Sequence, residues 1–169
     1  MTRLSSAGKM ADWFDPREIR FKISPHHDLS GTQGGDWDIE RRYEFQATAK
    51  YRAIAEHYRD GRPWLETDLF RDAYARRLKR DGHVGRSRTL AELAKDYDRR
   101  FNPMVEAMKR SGFALKNANG KAHALPVLLI GRDEVFIGNQ GNHRLAIAQV
   151  LGLDKIAGRI LCRHPLTPF

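Results

Sequence analysis

Apolar residues first alternate with charged ones at Ile19, Phe21 and Ile23, which predicts a strand that ends at Pro25. Residues before Pro16 show no sustained period and read as a flexible tail over 1–15. Further along, the period becomes helical. Ala47, Tyr51, Ile54, Ala55 and Tyr58 share one helical face, and Gly61 ends that helix. A second helix is expected from the 63–67 region through Phe70, Ala73, Tyr74 and Leu78 to Gly82. Thr89-Leu-Ala-Glu92 is a capping box that opens a third helix through Leu93, Tyr97 and Phe101. Asn102-Pro103 is expected to kink or break it before Met104 and Met108, because proline lacks an N–H and clashes with the preceding turn. Gly112 closes this segment, and 117–120 reads as a turn.

The last third changes character again. Residues 125–130 and 134–137 read as two strands joined by a Gly131-Arg-Asp133 hairpin, and 156–162 as a further strand. Between them Val135-Phe-Ile-Gly-Asn-Gln-Gly-Asn-His-Arg-Leu-Ala-Ile-Ala-Gln-Val-Leu-Gly152 predicts a short strand, a glycine turn and a buried helix. Asn142 suits an N-cap, and Gly152 suits the position that closes a helix. The expected architecture is α+β, one domain over 16–164. Strands from both ends form a small mixed sheet, three helices are inserted over about 45–112, and 125–163 is the motif-bearing unit.

That helix is apolar on nearly every face except at its start, where Gln140, Asn142, His143 and Arg144 cluster. A helix N-terminus presents free N–H groups and a partial positive charge, which favours a phosphate. Gly138 and Gly141 permit the backbone such a turn requires. A strand–turn–helix with glycines is equally a plain scaffold, so the pattern alone leaves both readings open. Composition narrows the partner. The net charge of +9 and pI near 10.0 favour an acidic partner, a nucleotide or a nucleic acid, although a basic surface also serves solubility. The single cysteine excludes a disulfide framework within the chain and a cysteine-rich zinc site. No apolar run spans a bilayer and the start lacks a signal-peptide core, so no membrane insertion and a cytoplasmic location are expected.

Other residues carry candidate chemistry. His26, His27, Asp28, Asp36 and Asp38 crowd into one loop rich in turn formers. Asp36 and Asp38 are candidate Mg²⁺ ligands or catalytic carboxylates, since Mg²⁺ takes oxygen donors and accompanies nucleotide phosphates. Both equally suit turn and helix caps. Trp37 is a candidate base-stacking face, whereas Trp64 beside Pro63 reads as core. Arg71, Arg76, Arg77, Lys79, Arg80, Arg86 and Arg88 form a basic run, interrupted by Asp72 and Asp81, that could follow a phosphate backbone or be a solvated helix face.

Gly141-Asn-His-Arg-Leu-Ala-Ile-Ala, followed by Leu151-Gly-Leu and the 156–162 strand, resembles the G-x-H-R motif of the ParB/sulfiredoxin-like superfamily. Gly35-Asp-Trp-Asp38, Gly61-Arg-Pro-Trp-Leu-Glu-Thr67 and Arg163-His164 also resemble the layout of prokaryotic stand-alone ParB-like nuclease-domain proteins over most of 16–164. The resemblance implies a sheet of that type. It also implies a nucleotide triphosphate (ATP or CTP, with Mg²⁺) held by Gly138, Gln140, Gly141, Asn142, His143 and Arg144. A nucleotide-dependent phosphotransferase or NTP hydrolase using His143 with Asp36 or Asp38 is the enzymatic expectation. A nucleic-acid-binding or nuclease-like module and a nucleotide sensor without turnover are the alternatives. Three departures shape these expectations. Asn142 stands where sulfiredoxins carry a reactive Cys, and Cys162 falls in a predicted strand, which argues against sulfiredoxin chemistry. The chain ends at Phe169, without the helix-turn-helix and dimerisation segment of partitioning ParB proteins, so a partition role is not expected. Gln140 stands where relatives often carry Asp, and an amide cannot act as a base.

Overall fold

A computed structural model describes residues 11–24, 28–116 and 123–168. In chain order, these form β1 (Asp12–Phe14), a 3₁₀ turn (Pro16–Glu18), β2 (Phe21–Ile23), β3 (Gly31–Thr32), α1 (Trp37–Glu40), β4 (Arg42–Glu44) and α2 (Ala49–Tyr58). There follow a 3₁₀ turn (Trp64–Glu66), a π-helical stretch (Leu69–Tyr74), α3 (Ala75–Asp81) and α4 (Leu90–Ser111). The chain closes with β5 (Val127–Ile130), β6 (Val135–Ile137), α5 (Asn142–Val150) and β7 (Ile156–Arg163).

The strands make one mixed seven-stranded sheet in the order β1-β7-β5-β6-β2-β4, with β3 also pairing β7. The β5–β6 hairpin is antiparallel, whereas β7 lies parallel to β5 and β2 parallel to β6. The mixed α+β class is therefore as expected. Asp12–Phe14, which fall within the tail predicted over 1–15, instead form a strand that pairs antiparallel with Ile156–Gly158. That pairing joins the two ends of the chain, so no local pattern announces it. Residues 1–10, His26, His27 and the turn at 117–120 lie outside the described residues. Among the described residues, no helix is long and apolar enough to cross a membrane.

Alternating side chains of the central strands feed two apolar layers. Leu128 and Ile137 face the larger one, with Ile54 of α2, Tyr97, Phe101, Val105 and Met108 of α4, and Leu145 and Ile147 of α5. Leu129 and Phe136 face the smaller one, with Ile23, Trp37 and Cys162. The sheet is thus covered on both faces, which explains why β5 is buried at all four positions. Burial also pushes the Cys162 thiol up, away from the reactive thiolate.

The expected break at Pro103 does not occur. α4 is a single 22-residue helix with Pro103 inside it. Pro103 is exposed, while Leu93, Tyr97, Phe101, Val105 and Met108 form a buried stripe that crosses it. A proline costs a helix interior about 3 kcal/mol, and each large apolar side chain buried beyond it returns about 1.5–3 kcal/mol. Packing on both sides of the proline therefore outweighs the lost hydrogen bond. This continuous helix carries one wall of the site described next.

Candidate functional site

The predicted strand–turn–helix forms as drawn from the sequence. α5 starts at Asn142, with Gly141 at φ +81° as the residue before it. Asn142 is the first helical residue rather than the cap, and its Nδ2 donates to the Gly138 carbonyl across the turn at 3.2 Å. The turn is clamped to the start of β5. The Val127 N–H donates to the Gln140 carbonyl and the Gly138 N–H donates to the Val127 carbonyl. The Gln140 side chain is exposed. At Gly141 a Cβ would lie 2.3 Å from the Pro126 Cα, so this glycine is required by the chain packed on it, not only by its dihedral.

His143 and Arg144 diverge from the helix start. The His143 ring packs on Phe101, 4.8 Å between centroids, and edge-on to Tyr97. Its Nε2 is buried without a hydrogen-bond partner. Burial first, then the charges of Lys50 and Arg100, push the imidazole down to about 4, so it is neutral at pH 7. Lys50, at the start of α2, is itself pushed down by burial and by the charge of Lys22 on β2. A positive field therefore surrounds the first turn of α5.

Arg144 turns to the other side. Its guanidinium donates to the Ala114 and Ala124 carbonyls at 2.8 and 3.3 Å and lies 4.0 Å over the Phe113 ring. The residue is 7% exposed, and its Nε is buried without a partner. Burial pushes it down to about 10. It faces a cavity of about 570 Å³ between the second half of α4 and the residues Gly112, Ala114, Lys116 and His123. Arg100, Arg110, Lys116 and His123 line the same cavity, together with an apolar wall of Pro103, Met104, Ala107 and Met108. Burial and the Arg144 charge push the His123 imidazole down. Among the described residues no carboxylate pairs with Arg100, Arg110, Lys116 or Arg144, and the residues outside the described set include no Asp or Glu. A buried guanidinium with no carboxylate partner, in a cavity lined by basic side chains, has the chemistry that favours an anion.

Asp36 and Asp38 belong elsewhere. Arg132 precedes β6 and the Gly138 turn follows it, so the carboxylates that Arg132 holds lie at the other end of that strand from His143. Asp38 is buried and accepts from the Arg132 backbone N–H, Nε and Nη2, while Asp36 accepts from Nη2 at 2.8 Å. Burial raises the Asp38 carboxyl, but the Arg132 hydrogen bonds and charge outweigh it and hold the group below its ordinary value. Asp36 precedes α1 as its N-cap, without a side-chain capping bond. The structure thus brings the two aspartates together with an arginine and does not bring them to His143. Among the described residues no group of three or more His, Cys, Asp or Glu side chains is placed to hold a metal ion. Trp37 is buried against Phe136 and His164, and Trp64 packs among His57, Phe70, Tyr97 and Phe101, so neither indole presents an open stacking face.

The depressed His143 makes a pH prediction. The unfolded chain binds a proton at this residue below about 6.5, whereas the folded chain does so only below about 4. Its contribution is therefore complete above pH 6.5 and is lost as pH falls from 6.5 towards 4, by on the order of 2–3 kcal/mol after allowing for partial exposure. His143→Phe keeps the ring packing and removes the titration. The difference in urea midpoint between wild type and variant should shift in favour of the variant across that window. A difference that does not change with pH would show that His143 titrates normally.

The side chains sequence reading missed are Lys50, Arg100, Arg110, Lys116 and His123. Arg100, Pro103, Met104, Ala107 and Ser111 recur at the spacing of one helical face, a signal visible only if the helix runs through Pro103. No family model, no curated protein and no solved structure matches the chain.

Proposed function

We propose that the protein binds a nucleotide, with its phosphates in the basic cavity beside the start of α5. The observation that carries this reading is Arg144, a buried guanidinium with an unpartnered Nε, facing a cavity whose other charged side chains are also basic. The free N–H groups of the α5 start and the neighbouring Lys50 and Arg100 add to the same field. The apolar wall of Met104, Ala107 and Met108 can receive the less polar part of the ligand. The resemblance of Gly141-Asn-His-Arg144 to the phosphate-holding motif of the ParB/sulfiredoxin-like superfamily supports the same reading. The donor set is all N–H and cationic, so Mg²⁺ would enter on the nucleotide rather than in a preformed carboxylate cage. Phosphoryl transfer or hydrolysis is the corresponding activity class. The His143 ring packs on Phe101 and Tyr97 on the other side of the helix start, so in this reading it holds the turn and does not touch the ligand.

Arg110 and Lys116 are exposed at the cavity mouth and separate binding from folding. Arg110→Ala with Lys116→Ala should leave the melting temperature within experimental error. It should weaken the tightest binder among ATP, CTP and GTP at least tenfold, since each charge-assisted contact is worth about 1.5–3 kcal/mol. Calorimetric titration with and without Mg²⁺, and release of inorganic phosphate, measure binding and turnover. Wild-type protein that binds none of these nucleotides, or a double variant that binds them unchanged, would overturn the proposal.

A further inference from the structure

Between Arg71 and Arg88 the chain carries seven Lys or Arg residues against two Asp, a net +5 within a whole-chain charge of +9. Elsewhere on the surface many cations are tied to carboxylates, as in Arg17–Asp15, Arg59–Asp60, Arg62–Glu56 and Arg99–Asp96. Within this segment Arg77 and Arg80 share Asp81. Among the described residues, Arg71, Arg76, Lys79, Arg86 and Arg88 form no ion pair, and all five are exposed. An evolved surface that only needed solubility would gain it equally from mixed signs.

The five cations stand on a fixed frame. Arg71 lies in the π-helical stretch whose Leu69 and Phe70 are buried. Arg76 and Lys79 are three residues apart on α3 and share a face. Gly82 ends α3, and the chain then makes a tight turn in which Val84 and Ser87 exchange backbone hydrogen bonds. Val84 and Ser87 are buried, which anchors the turn that presents Arg86 and Arg88.

The chemistry of the surface selects its partner. A membrane-surface helix needs exposed apolar side chains. The exposed large hydrophobics are Trp13, Ile39, Tyr43, Leu65, Leu115 and Leu166, none of them between Arg71 and Arg88, and Leu78 packs against the core. A single-strand site needs an open aromatic face. Tyr74, the one aromatic residue of the segment, shares a short hydroxyl contact with Tyr97 and packs on Phe70. Guanidinium-rich, aromatic-free and apolar-free, the surface suits phosphates on a regular duplex. We infer that α3 and the turn after it bind the backbone of double-helical nucleic acid without regard to sequence. This surface adjoins the start of α4, whereas the cavity lies along its second half, so the inference does not rest on the nucleotide reading.

Fluorescence anisotropy of the full chain with random-sequence DNA and RNA duplexes, their single strands, and phosphatidylserine vesicles tests it. With about five phosphates neutralised, the log–log dependence of duplex affinity on salt should have a slope of about −4.5, or roughly a 20-fold loss per doubling of salt. Arg76→Ala with Arg86→Ala and Arg88→Ala should make that slope shallower by about 3 and lower affinity at least tenfold at about 100 mM salt. Nucleotide affinity should be unchanged. Arg59→Ala with Arg99→Ala, which removes paired cations elsewhere, should leave duplex binding within about twofold. Absence of duplex binding at about 50 mM salt would overturn the inference. So would equal losses in the two sets of variants, or tighter binding to single strands or vesicles than to either duplex.

Discussion

Arg144→Ala should lower the unfolding free energy by about 2–4 kcal/mol, whatever its effect on ligand. An arginine at this polar helix start would contribute little to folding if its guanidinium faced only a ligand. The structure gives it a second role. The guanidinium bridges two backbone carbonyls ten residues apart, at Ala114 and Ala124, and covers the Phe113 ring. Removing it leaves both carbonyls without that donor and opens a void over Phe113. Arg144→Lys decides how the stability and binding roles divide. A lysine keeps the charge but cannot present a planar fork to both carbonyls or stack on the ring. It should therefore recover only part of the stability while losing most of the nucleotide affinity. Urea unfolding and calorimetric titration measured on the same preparations check both halves. A fully stable Arg144→Ala protein would mean that the guanidinium does not bridge the segment in solution.

The two roles do not conflict. A guanidinium buried without a carboxylate is costly, and the depressed Arg144 and His143 both record that cost. Two carbonyls and an aromatic face offset part of it. An incoming phosphate would offset more, so ligand binding should raise the melting temperature by linkage.

How much of this was legible beforehand follows from the range of each interaction. The hairpin at Gly131-Arg-Asp133, the capping box at Thr89 and the strand–turn–helix at 135–150 are local, and they form where the sequence places them. The Thr89 side chain accepts from the Glu92 N–H, and the Glu92 carboxylate accepts from the Arg88 N–H. β1 could not be read, because its partner lies at the far end of the chain. Nor could the Asp38–Arg132 pair, formed across 94 residues, which takes up the carboxylate that sequence reading offered to a metal. The cavity was hidden by one decision about Pro103. With the helix broken there, Arg100 and Arg110 belong to different elements; with it continuous, they line one wall. Local rules priced the proline correctly, but the buried stripe on the other side of α4 outweighed it.

The glycine of the motif should prove the least replaceable residue of the turn. Gly141→Ala is expected to cost roughly 2–5 kcal/mol, from two separate sources. Its φ of +81° is unfavourable for any residue with a Cβ. In addition, that Cβ would lie 2.3 Å from the Pro126 Cα and 2.8 Å from the Pro126 nitrogen, both backbone atoms that no rotamer change can move aside. Gly152 provides the internal comparison. Its φ is +68°, yet a Cβ there meets nothing within 4 Å, so Gly152→Ala should cost only the conformational part, about 1–2 kcal/mol. The excess at Gly141 measures the close approach of Pro126, the residue before β5, to the α5 start. Pro126→Ala should not restore Gly141→Ala, because the nearest contact is with the main chain. Nucleotide affinity should fall in Gly141→Ala together with stability, since the shift needed to relieve the contact moves the first turn of α5 and with it Arg144. Denaturant midpoints of the two glycine variants and of the Pro126→Ala double variant test the argument, and equal costs at Gly141 and Gly152 would refute the packing of Pro126 against the motif.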